Sequence, residues 1–254
     1  MAQLRLIARL DIKGPNLIKP IQLEGVRKLG DPQEFARRYY QNGIDEILFM
    51  DAVASLYDRD MLAKIAERTA EEVFIPMTVG GGIRSVDDVR NMLRAGADKV
   101  AINSAATRNP EIITEVAKTF GSQCMVLSID AKRDAKSQWE AYCDGGREHT
   151  GLDAVDWAVR GQELGAGEIL LTSVDQEGTR KGFDVDLVQA ISTAVTIPVI
   201  ASGGMGGLDD LIDVVRDGRA DAVAMAYVLH YDKFSLADIR SHAIDENIPV
   251  RAHR

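Results

Sequence analysis

Short apolar runs alternate with stretches of helical periodicity along the chain. The apolar runs predict eight strands, over residues 4–12, 46–50, 73–79, 99–102, 125–129, 168–171, 198–202 and 222–226. Helices are predicted over residues 31–42, 59–71, 85–94, 109–120, 152–164, 184–193 and 208–216. Residues 13–31 predict a long loop, and residues 134–150 an irregular or hairpin-like segment with a turn at Asp144-Gly145-Gly146. Strands that alternate with helices in this way indicate a parallel sheet of the α/β class.

The pattern also repeats within the chain. Residues 42–50 (NGIDEILFM) recur 122 positions later as residues 164–172 (LGAGEILLT), and residues 97–101 (ADKVA) recur as residues 220–224 (ADAVA). Eight strand–helix units in two related halves predict one closed (β/α)8 TIM barrel domain over residues 1–254, built of two homologous half-barrels. An open doubly wound sheet is the alternative, but it explains neither the number of strands nor the repeat.

Each half contains a glycine-rich loop at the end of a predicted strand. Residues 78–88 (TVGGGIRSVDD) align with residues 200–210 (IASGGMGGLDD), so that Gly82 corresponds to Gly204. Glycine lets backbone N–H groups approach a ligand closely, and a helix that follows presents its positive dipole end, which suits phosphate. A tight strand-to-helix turn without a ligand is the alternative for either loop. The second copy favours two phosphate cradles.

Two aspartates are candidates for acid–base chemistry. Asp11 ends the first predicted strand and Asp130 the fifth, and the catalytic side chains of such barrels lie at the carboxyl ends of strands. The first and fifth of eight strands lie opposite each other, so we expect the two carboxylates to face across the mouth as general acid and base. Helix capping is the alternative, and it suits Asp31 and Asp153 better. The histidines form no comparable pattern, and we expect His230 at the surface.

Composition narrows the possible functions. A net charge of −9 and a pI near 5.0 argue against nucleic-acid binding, which needs a basic face. Small anionic ligands need only a local positive site. The sequence shows no leader-like apolar segment and no apolar run that could span a bilayer, so we expect a cytoplasmic protein. Cys124 and Cys143 lack metal-ligand spacing, and we expect them to be reduced thiols. We expect neither a metal nor a cofactor.

Several motifs together are recognisable, and they run nearly the length of the chain. They include RLDIK at residues 9–13, DEILFMD at 45–51, TVGGGIRS at 78–85, GADKVAIN at 96–103 and IPVIASGG at 197–204. In these motifs the chain resembles the cyclase subunit of imidazole glycerol phosphate synthase, of histidine biosynthesis. The isomerase that acts one step earlier shares the fold, the halves and the paired aspartates. Those shared features therefore do not separate the cyclase from the isomerase.

The resemblance implies roles for individual residues. Asp11 and Asp130 match the acid/base pair that closes the imidazole ring and cleaves the intermediate. The positions that match phosphate- and substrate-binding residues are Lys19 in the first loop, Gly82, Asn103 and Ser104 around one phosphate, Thr172 in the barrel lining, and Gly178, Gly203, Gly204 and Ala226 around the other phosphate. Gln123 matches a further polar position in the barrel lining.

Four more matching positions separate the cyclase from the isomerase. Arg5, Glu46, Lys99 and Glu168 match a ring of charges at the bottom of the cyclase barrel, which gates a channel for ammonia. By position alone they would be surface salt bridges near the strand N-termini. Charges of alternating sign are costly to bury unless paired, so we expect a closed salt-bridged ring. The resemblance thus implies an ammonia-dependent cyclase and lyase that forms a heterodimer with a glutaminase subunit.

The chain departs from the family pattern at the substrate end. Arg9 stands where cysteine is usual, the first loop reads KGPNLIKPIQL at residues 13–23, Glu177 replaces an aspartate and Tyr227 a serine. Related proteins encoded with surface-polysaccharide enzymes supply ammonia for amidination of a sugar, and they are the main alternative. One branch of these lacks the first catalytic aspartate. This chain retains Asp11, which favours the cyclase.

Overall fold

The computed structural model describes residues 3–52, 60–134 and 138–251. The strands in these residues are β1 (Arg5–Lys13), β2 (Asn16–Ile21), β3 (Glu24–Gly30), β4 (Glu46–Asp51), β5 (Met77–Gly80), β6 (Lys99–Ile102), β7 (Met125–Arg133), β8 (Trp139–Cys143), β9 (Glu148–Asp153), β10 (Glu168–Ser173), β11 (Val199–Ser202) and β12 (Ala222–Met225). The helices are α1 (Pro32–Gln41), α2 (Asp60–Ala70), α3 (Val86–Arg94), α4 (Ser104–Arg108), α5 (Glu111–Phe120), α6 (Ala154–Leu164), α7 (Val185–Ala194), α8 (Asp209–Arg216), α9 (Tyr227–His230) and α10 (Leu236–Asp245). None of these helices is long and apolar enough to cross a membrane.

Eight of the described strands close into a parallel barrel. Their hydrogen-bonded order is β10, β11, β12, β1, β4, β5, β6 and β7. The ring closes where β10 pairs with β7, with Glu168 opposite Val126. The helices connect successive barrel strands, so the fold is the predicted (β/α)8 TIM barrel. In this ring β1 and β7 are separated by three strands on each side, which places them opposite each other.

The two halves of the barrel repeat each other in detail. The six-residue strands β4 and β10 lie 122 positions apart, as do the four-residue strands β5 and β11. Each half also begins with a nine-residue strand, β1 or β7. An antiparallel hairpin follows each of them, β2–β3 in the first half and β8–β9 in the second. The structure therefore confirms the two half-barrels that the sequence repeat predicted.

The structure corrects two predicted elements. Residues 13–31 do not form a loop, because they contain the β2–β3 hairpin, in which Leu17 and Ile18 are buried. Pro20 lies where the pairing of β2 with β3 shifts register, and such a bulge tolerates its missing N–H. The strand predicted over residues 73–79 begins only at Met77. The predicted hairpin over residues 134–150 is confirmed by β8 and β9, although residues 135–137 lie outside the described residues.

The side chains of the barrel strands divide the core into two layers. A large apolar cluster lies between the barrel and the helices. A separate cluster fills the barrel interior and consists of Ile7, Leu48, Ala101, Val126, Leu170, Ile200, Ala222 and Ala224. Because strand residues alternate between faces, Arg5, Arg9 and Asp11 share the interior face of β1 with Ile7. The two predicted helix caps are also observed: Asp31 accepts from the N–H of Gln33, and Asp153 from the N–H of Val155.

Candidate active site

A cavity of about 360 Å3 lies at the carboxyl ends of the barrel strands. Asp11 from β1 and Asp130 from β7 both line this cavity, and both are buried. Leu23 from the β2–β3 turn and Gly145 from the β8–β9 turn also line it, so both hairpins contribute to its walls. Because β1 and β7 lie on opposite sides of the ring, the two carboxylates reach the same space from opposite directions, as the sequence predicts.

Asp11 is held by a buried ion pair with Arg9. The Nε of Arg9 donates to Oδ1 of Asp11 at 3.0 Å, and its Nη1 donates to the hydroxyls of Thr172 and Ser202, both at 2.9 Å. Burial works against a charge on Arg9, but the carboxylates of Asp11, Glu177 and Asp130 outweigh it and raise the Arg9 pKa above its ordinary value. Arg9 therefore remains a cation. The Oδ2 of Asp11 is buried and has no hydrogen-bond partner among the described residues.

Asp130 has a different environment. Its Oδ2 accepts a hydrogen bond from the side-chain amide of Asn103 at 2.9 Å, and the same amide nitrogen donates to the carbonyl of Tyr142 at 3.1 Å. Burial raises the Asp130 pKa to about 6, and the charge of Asp11 adds to the rise, whereas Arg9 and Asn103 lower it. Asp130 therefore holds a proton at a pH where an ordinary carboxyl has lost it. The pair combines a carboxyl that is ion-paired with Arg9 and a carboxyl whose pKa is raised.

The first glycine loop lies in the cavity wall. Gly82, Asn103 and Ser104 all line the cavity, at the ends of β5 and β6. Gly81 has a φ of 97°, and a Cβ there would lie 2.4 Å from the carbonyl oxygen of Asp51, so only glycine fits. The Ser104 hydroxyl accepts from the N–H of Asp144 at 2.9 Å, which ties the β8–β9 turn to this site. The structure thus brings the residues predicted for the first phosphate together at one end of the cavity.

Three arginines around this loop were not predicted. Arg84, Arg108 and Arg147 line the same cavity, although they come from three separate segments of the chain. Arg108 is ion-paired with Asp144 and with Glu148. The position of Arg84, two residues after the last of the glycines, was a usable signal in the sequence. Nothing in the sequence linked Arg108 or Arg147 to that loop, because only the folded barrel brings them there.

The second glycine loop is packed differently. Gly178, Gly203, Gly204 and Ala226 are not among the residues that line the cavity. A Cβ on Gly204 would lie 2.0 Å from the carbonyl oxygen of Gly182, and the Gly204 carbonyl accepts from the Gly182 N–H at 3.0 Å. A Cβ on Gly178 would lie 2.9 Å from the Cα of Ile21. Close backbone packing therefore accounts for two of these glycines without a ligand.

The rim of the second loop is occupied by an aromatic ring and cations. Tyr227 directly follows Ala226 and begins α9. The guanidinium carbon of Arg180 lies 5.3 Å from the centre of the Tyr227 ring, and the ammonium nitrogen of Lys233 lies 6.0 Å from it. Hydrogen bonding to Arg180, together with the charge of Lys233, lowers the pKa of the exposed Tyr227 hydroxyl. The positive charge suits an anion, and the Tyr227 ring lies against both cations.

Lys19 lies in a buried ion pair instead of free in the cavity. Its ammonium group pairs with Glu177 and donates to the carbonyl of Pro20 at 2.9 Å. The tip of the β2–β3 hairpin also reaches this segment, since the N–H of Gln22 donates to the carbonyl of Glu177 at 3.0 Å. These contacts fix the first hairpin on the segment that follows β10. Lys19 does not line the cavity in this arrangement.

Two expectations about polar residues are wrong. His230 is 6% exposed instead of lying at the surface, and its Nδ1 is 2.6 Å from the hydroxyl of Tyr39. Burial lowers the His230 pKa to about 4, so the imidazole is neutral at physiological pH. Gln123 does not line the barrel, because it is exposed in a short 3-10 turn before β7 and donates to the carbonyl of Phe120 at 3.2 Å. The sequence placed both residues near a strand, but it did not show whether their side chains face the protein interior or the solvent.

The bottom of the barrel carries the predicted ring of charges. Arg5, Glu46, Lys99 and Glu168 are the first residues of β1, β4, β6 and β10. Arg5 is 2.8 Å from Glu46 and 2.5 Å from Glu168, and Lys99 is 3.3 Å from Glu46 and 2.8 Å from Glu168. Each charge thus has two partners of the opposite sign, and the ring is closed. The predicted geometry is observed, and the gating role remains a prediction.

The ring and the cavity are connected through the barrel interior. The apolar interior cluster around Ile7 and Leu170 separates the ring at the bottom from the polar layer of Arg9, Thr172 and Ser202 above it. A neutral small molecule can cross an apolar layer at much lower cost than an ion can. The interior is therefore charged at the bottom, apolar in the middle and polar at the cavity.

The two cysteines are free thiols, as expected. Cys143, Asp144 and Glu148 place one ligand atom each within 4.8 Å of one another. The guanidinium of Arg108 forms ion pairs with both of these carboxylates. This group is therefore explained by its ion pairs.

Comparison with known proteins agrees with this geometry. Residues 5–235 match the model of a family described as histidine biosynthesis protein. Over 210 residues the chain is 64% identical to imidazole glycerol phosphate synthase subunit HisF of Legionella pneumophila, a match that covers 83% of this chain and 99% of that protein. This identity to HisF accompanies the features described above, which are the barrel, the paired aspartates at its mouth and the ring of charges at its base. The chain therefore belongs to the family of histidine biosynthesis proteins and groups within it with HisF, a subunit of imidazole glycerol phosphate synthase.

Proposed function

We propose that the chain is the ammonia-dependent cyclase and lyase subunit of imidazole glycerol phosphate synthase. In this role it makes imidazole glycerol phosphate and an aminoimidazole carboxamide ribotide, in the cytoplasm. The observation that carries the proposal is the arrangement of the barrel interior. A closed ring of charges at the bottom leads through an apolar layer to a cavity with two carboxyls, one paired with Arg9 and the other with a pKa raised to about 6. The 64% identity to HisF supports the same activity.

The two carboxyls have separate tasks in this proposal. Asp11 lies beside the Arg9 cation, and its free Oδ2 accepts a proton as the general base. Asp130, whose pKa is raised to about 6, donates a proton as the general acid. Ring closure and cleavage both require proton transfers at different atoms of one substrate. Carboxyls that approach it from opposite sides of the cavity meet that requirement.

One phosphate of the substrate is expected in the first glycine loop. The backbone at Gly82, with its φ of 70°, and the start of α4 at Ser104 give N–H groups in the cavity wall. The guanidinium groups of Arg84, Arg108 and Arg147 supply positive charge around the same place. The second loop, beside Arg180 and Lys233, is proposed for the other phosphate. A ligand there requires the Tyr227 ring to leave enough room.

Ammonia is proposed to enter from a glutaminase subunit that docks on the bottom of the barrel. The ring formed around Arg5 and Lys99 lies at this face. Phe74 is 74% exposed in the segment before β5, and Ile244 is 55% exposed near the end of α10. Both segments lead toward strand N-termini, so these apolar side chains lie on the same face as the ring. Exposed apolar residues around a polar opening suit a protein partner.

The proposal is tested by comparing two sources of nitrogen. The isolated chain should turn over its substrate with ammonium salts and fail to use glutamine. Addition of the glutaminase subunit should enable glutamine use. Lys99→Ala removes both ion pairs of Lys99 and should weaken glutamine-dependent turnover about tenfold, a typical size for coupling between sites, while ammonia-dependent turnover is retained. Lys64→Ala, at an exposed lysine of α2, is the matched control.

Other outcomes would contradict the proposal in recognisable ways. Isomerisation of a phosphosugar without ammonia, or no binding to a glutaminase, would replace it with the isomerase. A glutaminase complex that forms but has no cyclase activity would instead favour a subunit that supplies ammonia for sugar amidination. The departures at Arg9 and Tyr227 are the observations that keep this second possibility open to test.

A further inference from the structure

Arg9 is a buried cation in the barrel interior, at a position where the family usually has cysteine. It is 5% exposed and belongs to the polar layer between the apolar cluster and the cavity. Its guanidinium joins three strands, because it donates to Asp11 on β1, Thr172 on β10 and Ser202 on β11. Neither the motif matches nor the proposed acid–base pair gives Arg9 a role.

A buried guanidinium is an expensive way to fill a core. A charge removed from water must be compensated, and a buried ion pair is often no more stabilising than apolar residues of the same volume. Stability therefore does not explain Arg9. The directed hydrogen bonds do suggest an explanation, since a planar guanidinium presents several donors in fixed directions and so sets the position of its partner as well as compensating its charge.

The contacts of Arg9 leave Asp11 in a defined state. The bond from Nε uses only Oδ1 of Asp11, while Oδ2 stays buried without a partner among the described residues. The anchors at Thr172 and Ser202 hold the guanidinium from the far side, so the carboxylate cannot rotate freely about the ion pair. Both Arg9 and Asp11 line the cavity.

We propose that Arg9 is a positioning residue that holds Asp11 by its Oδ1, with Oδ2 directed at the substrate as the proton acceptor. This inference rests on the proposed function, since it deepens the role of Asp11 in that reaction. Arg9 thus gives the barrel lining a charged hydrogen-bond donor that cysteine at this position does not provide. Ser202 contributes to the positioning, because its hydroxyl orients Arg9.

The central test removes the guanidinium and then supplies it from solution. Arg9→Ala should lower kcat about 100-fold, the scale of a lost proton-transfer group, with KM changed much less. Millimolar guanidinium, too little to unfold a protein, should restore a large part of kcat. Urea at the same concentration has a similar planar shape but no charge, and it should restore nothing. Arg9→Lys keeps the charge without the planar set of donors. Its kcat should lie between that of the wild type and that of Arg9→Ala.

The alternative is that Arg9 only fills space. In that case Arg9→Met, which retains volume without charge, would keep wild-type kcat, or guanidinium and urea would rescue Arg9→Ala equally. Either result would overturn the inference. Arg9→Met also serves if Arg9→Ala does not fold, as judged by circular dichroism. If Met folds and loses kcat while Lys retains part of it, the charge is required.

A double-mutant cycle tests whether Ser202 acts through Arg9. Ser202→Ala alone should lower kcat several-fold, because it removes one anchor of the guanidinium. In the Arg9→Ala background the same substitution should have no further effect. Equal effects in both backgrounds would show that Ser202 does not act through Arg9.

The ammonia-dependent turnover of the wild-type enzyme shows whether a negative result contradicts this inference alone or the proposed function as well. Absence of ammonia-dependent turnover in the wild type would end the proposed function and this inference with it. A wild type that is active, beside an Arg9→Ala variant of equal kcat, would end this inference alone.

Discussion

The two half-barrels have the same backbone plan, but they hold their paired aspartates, Asp11 and Asp130, with different partners. Two positions before Asp11 lies Arg9, which forms an ion pair with it. Two positions before Asp130 lies Ser128, and Asp130 is instead held by the neutral amide of Asn103. Burial raises the pKa of Asp130 to about 6, although the charge of Arg9 and the hydrogen bond from Asn103 both lower it. The repeat thus places the two carboxyls on opposite sides of the barrel, and each half holds its carboxyl with a different partner.

The glycine loops show the same divergence. Gly82 lines the cavity with Asn103 and Ser104. Its counterpart Gly204 is packed against the carbonyl of Gly182, and Tyr227 stands beside that loop. The repeated glycine loop thus lines the cavity in the first half, whereas in the second half it packs closely against neighbouring backbone.

The largest expected effect is the loss of either carboxyl. Asp11→Asn removes the proposed base and Asp130→Asn the proposed acid, so each should lower ammonia-dependent turnover by about 100-fold or more. Steady-state kinetics with ammonium salts measures the effect. The exposed Asp186→Asn is the matched control. Turnover within a few-fold of wild type in both carboxyl variants would refute the assignment.

The same two substitutions should change the free energy of unfolding in opposite directions. Asp11→Asn leaves Arg9 buried without its partner and should lower the free energy of unfolding by about 3–5 kcal/mol. Asp130 has a folded-state pKa of about 6 against an ordinary value of 3.8, so the wild type loses stability as pH rises between these values. Asp130→Asn removes that loss and should stabilise the protein at pH 8 by on the order of 3 kcal/mol.

Urea unfolding of both variants at pH 8 and pH 5 checks this contrast. The advantage of Asp130→Asn should shrink at the lower pH, because there the wild-type carboxyl is mostly protonated in the folded state while it is still mostly ionised in the unfolded state. Equal destabilisation by both substitutions at pH 8 would show that the two halves hold their carboxyls alike.

The smallest expected effect concerns anion binding in the two loops. Crystals grown in sulfate should show an anion at Gly82 and a weaker one at Gly203, because Tyr227 narrows the second site. Tyr227→Ser should strengthen the second anion a few-fold by removing the ring and leaving Arg180 free, a modest gain because exposed charges are screened. Crystallographic occupancy and sulfate titration of the variant measure it. Sulfate at neither loop would count against both cradles.

Much of this molecule could be predicted because local patterns were strong. The spacing of residues 42–50 and 164–172 predicted the half-barrels, and the ends of the first and fifth strands predicted Asp11 and Asp130. The family resemblance added the ring at Arg5. The hairpin over residues 13–31 was missed, since Pro20 and the register shift around it interrupt the alternation of a strand.

The sequence by itself determined the repeat, the strand order and the residue types at the strand ends, because these depend on periodicity along the chain. Only the tertiary structure decided that Arg9 reaches Thr172 and Ser202, that Lys19 pairs with Glu177, and that His230 is buried. These contacts join residues more than 150 positions apart, or depend on which face of a short segment packs inward. A pKa depends on burial and nearby charge, so the raised pKa of Asp130 arises only once the barrel has closed.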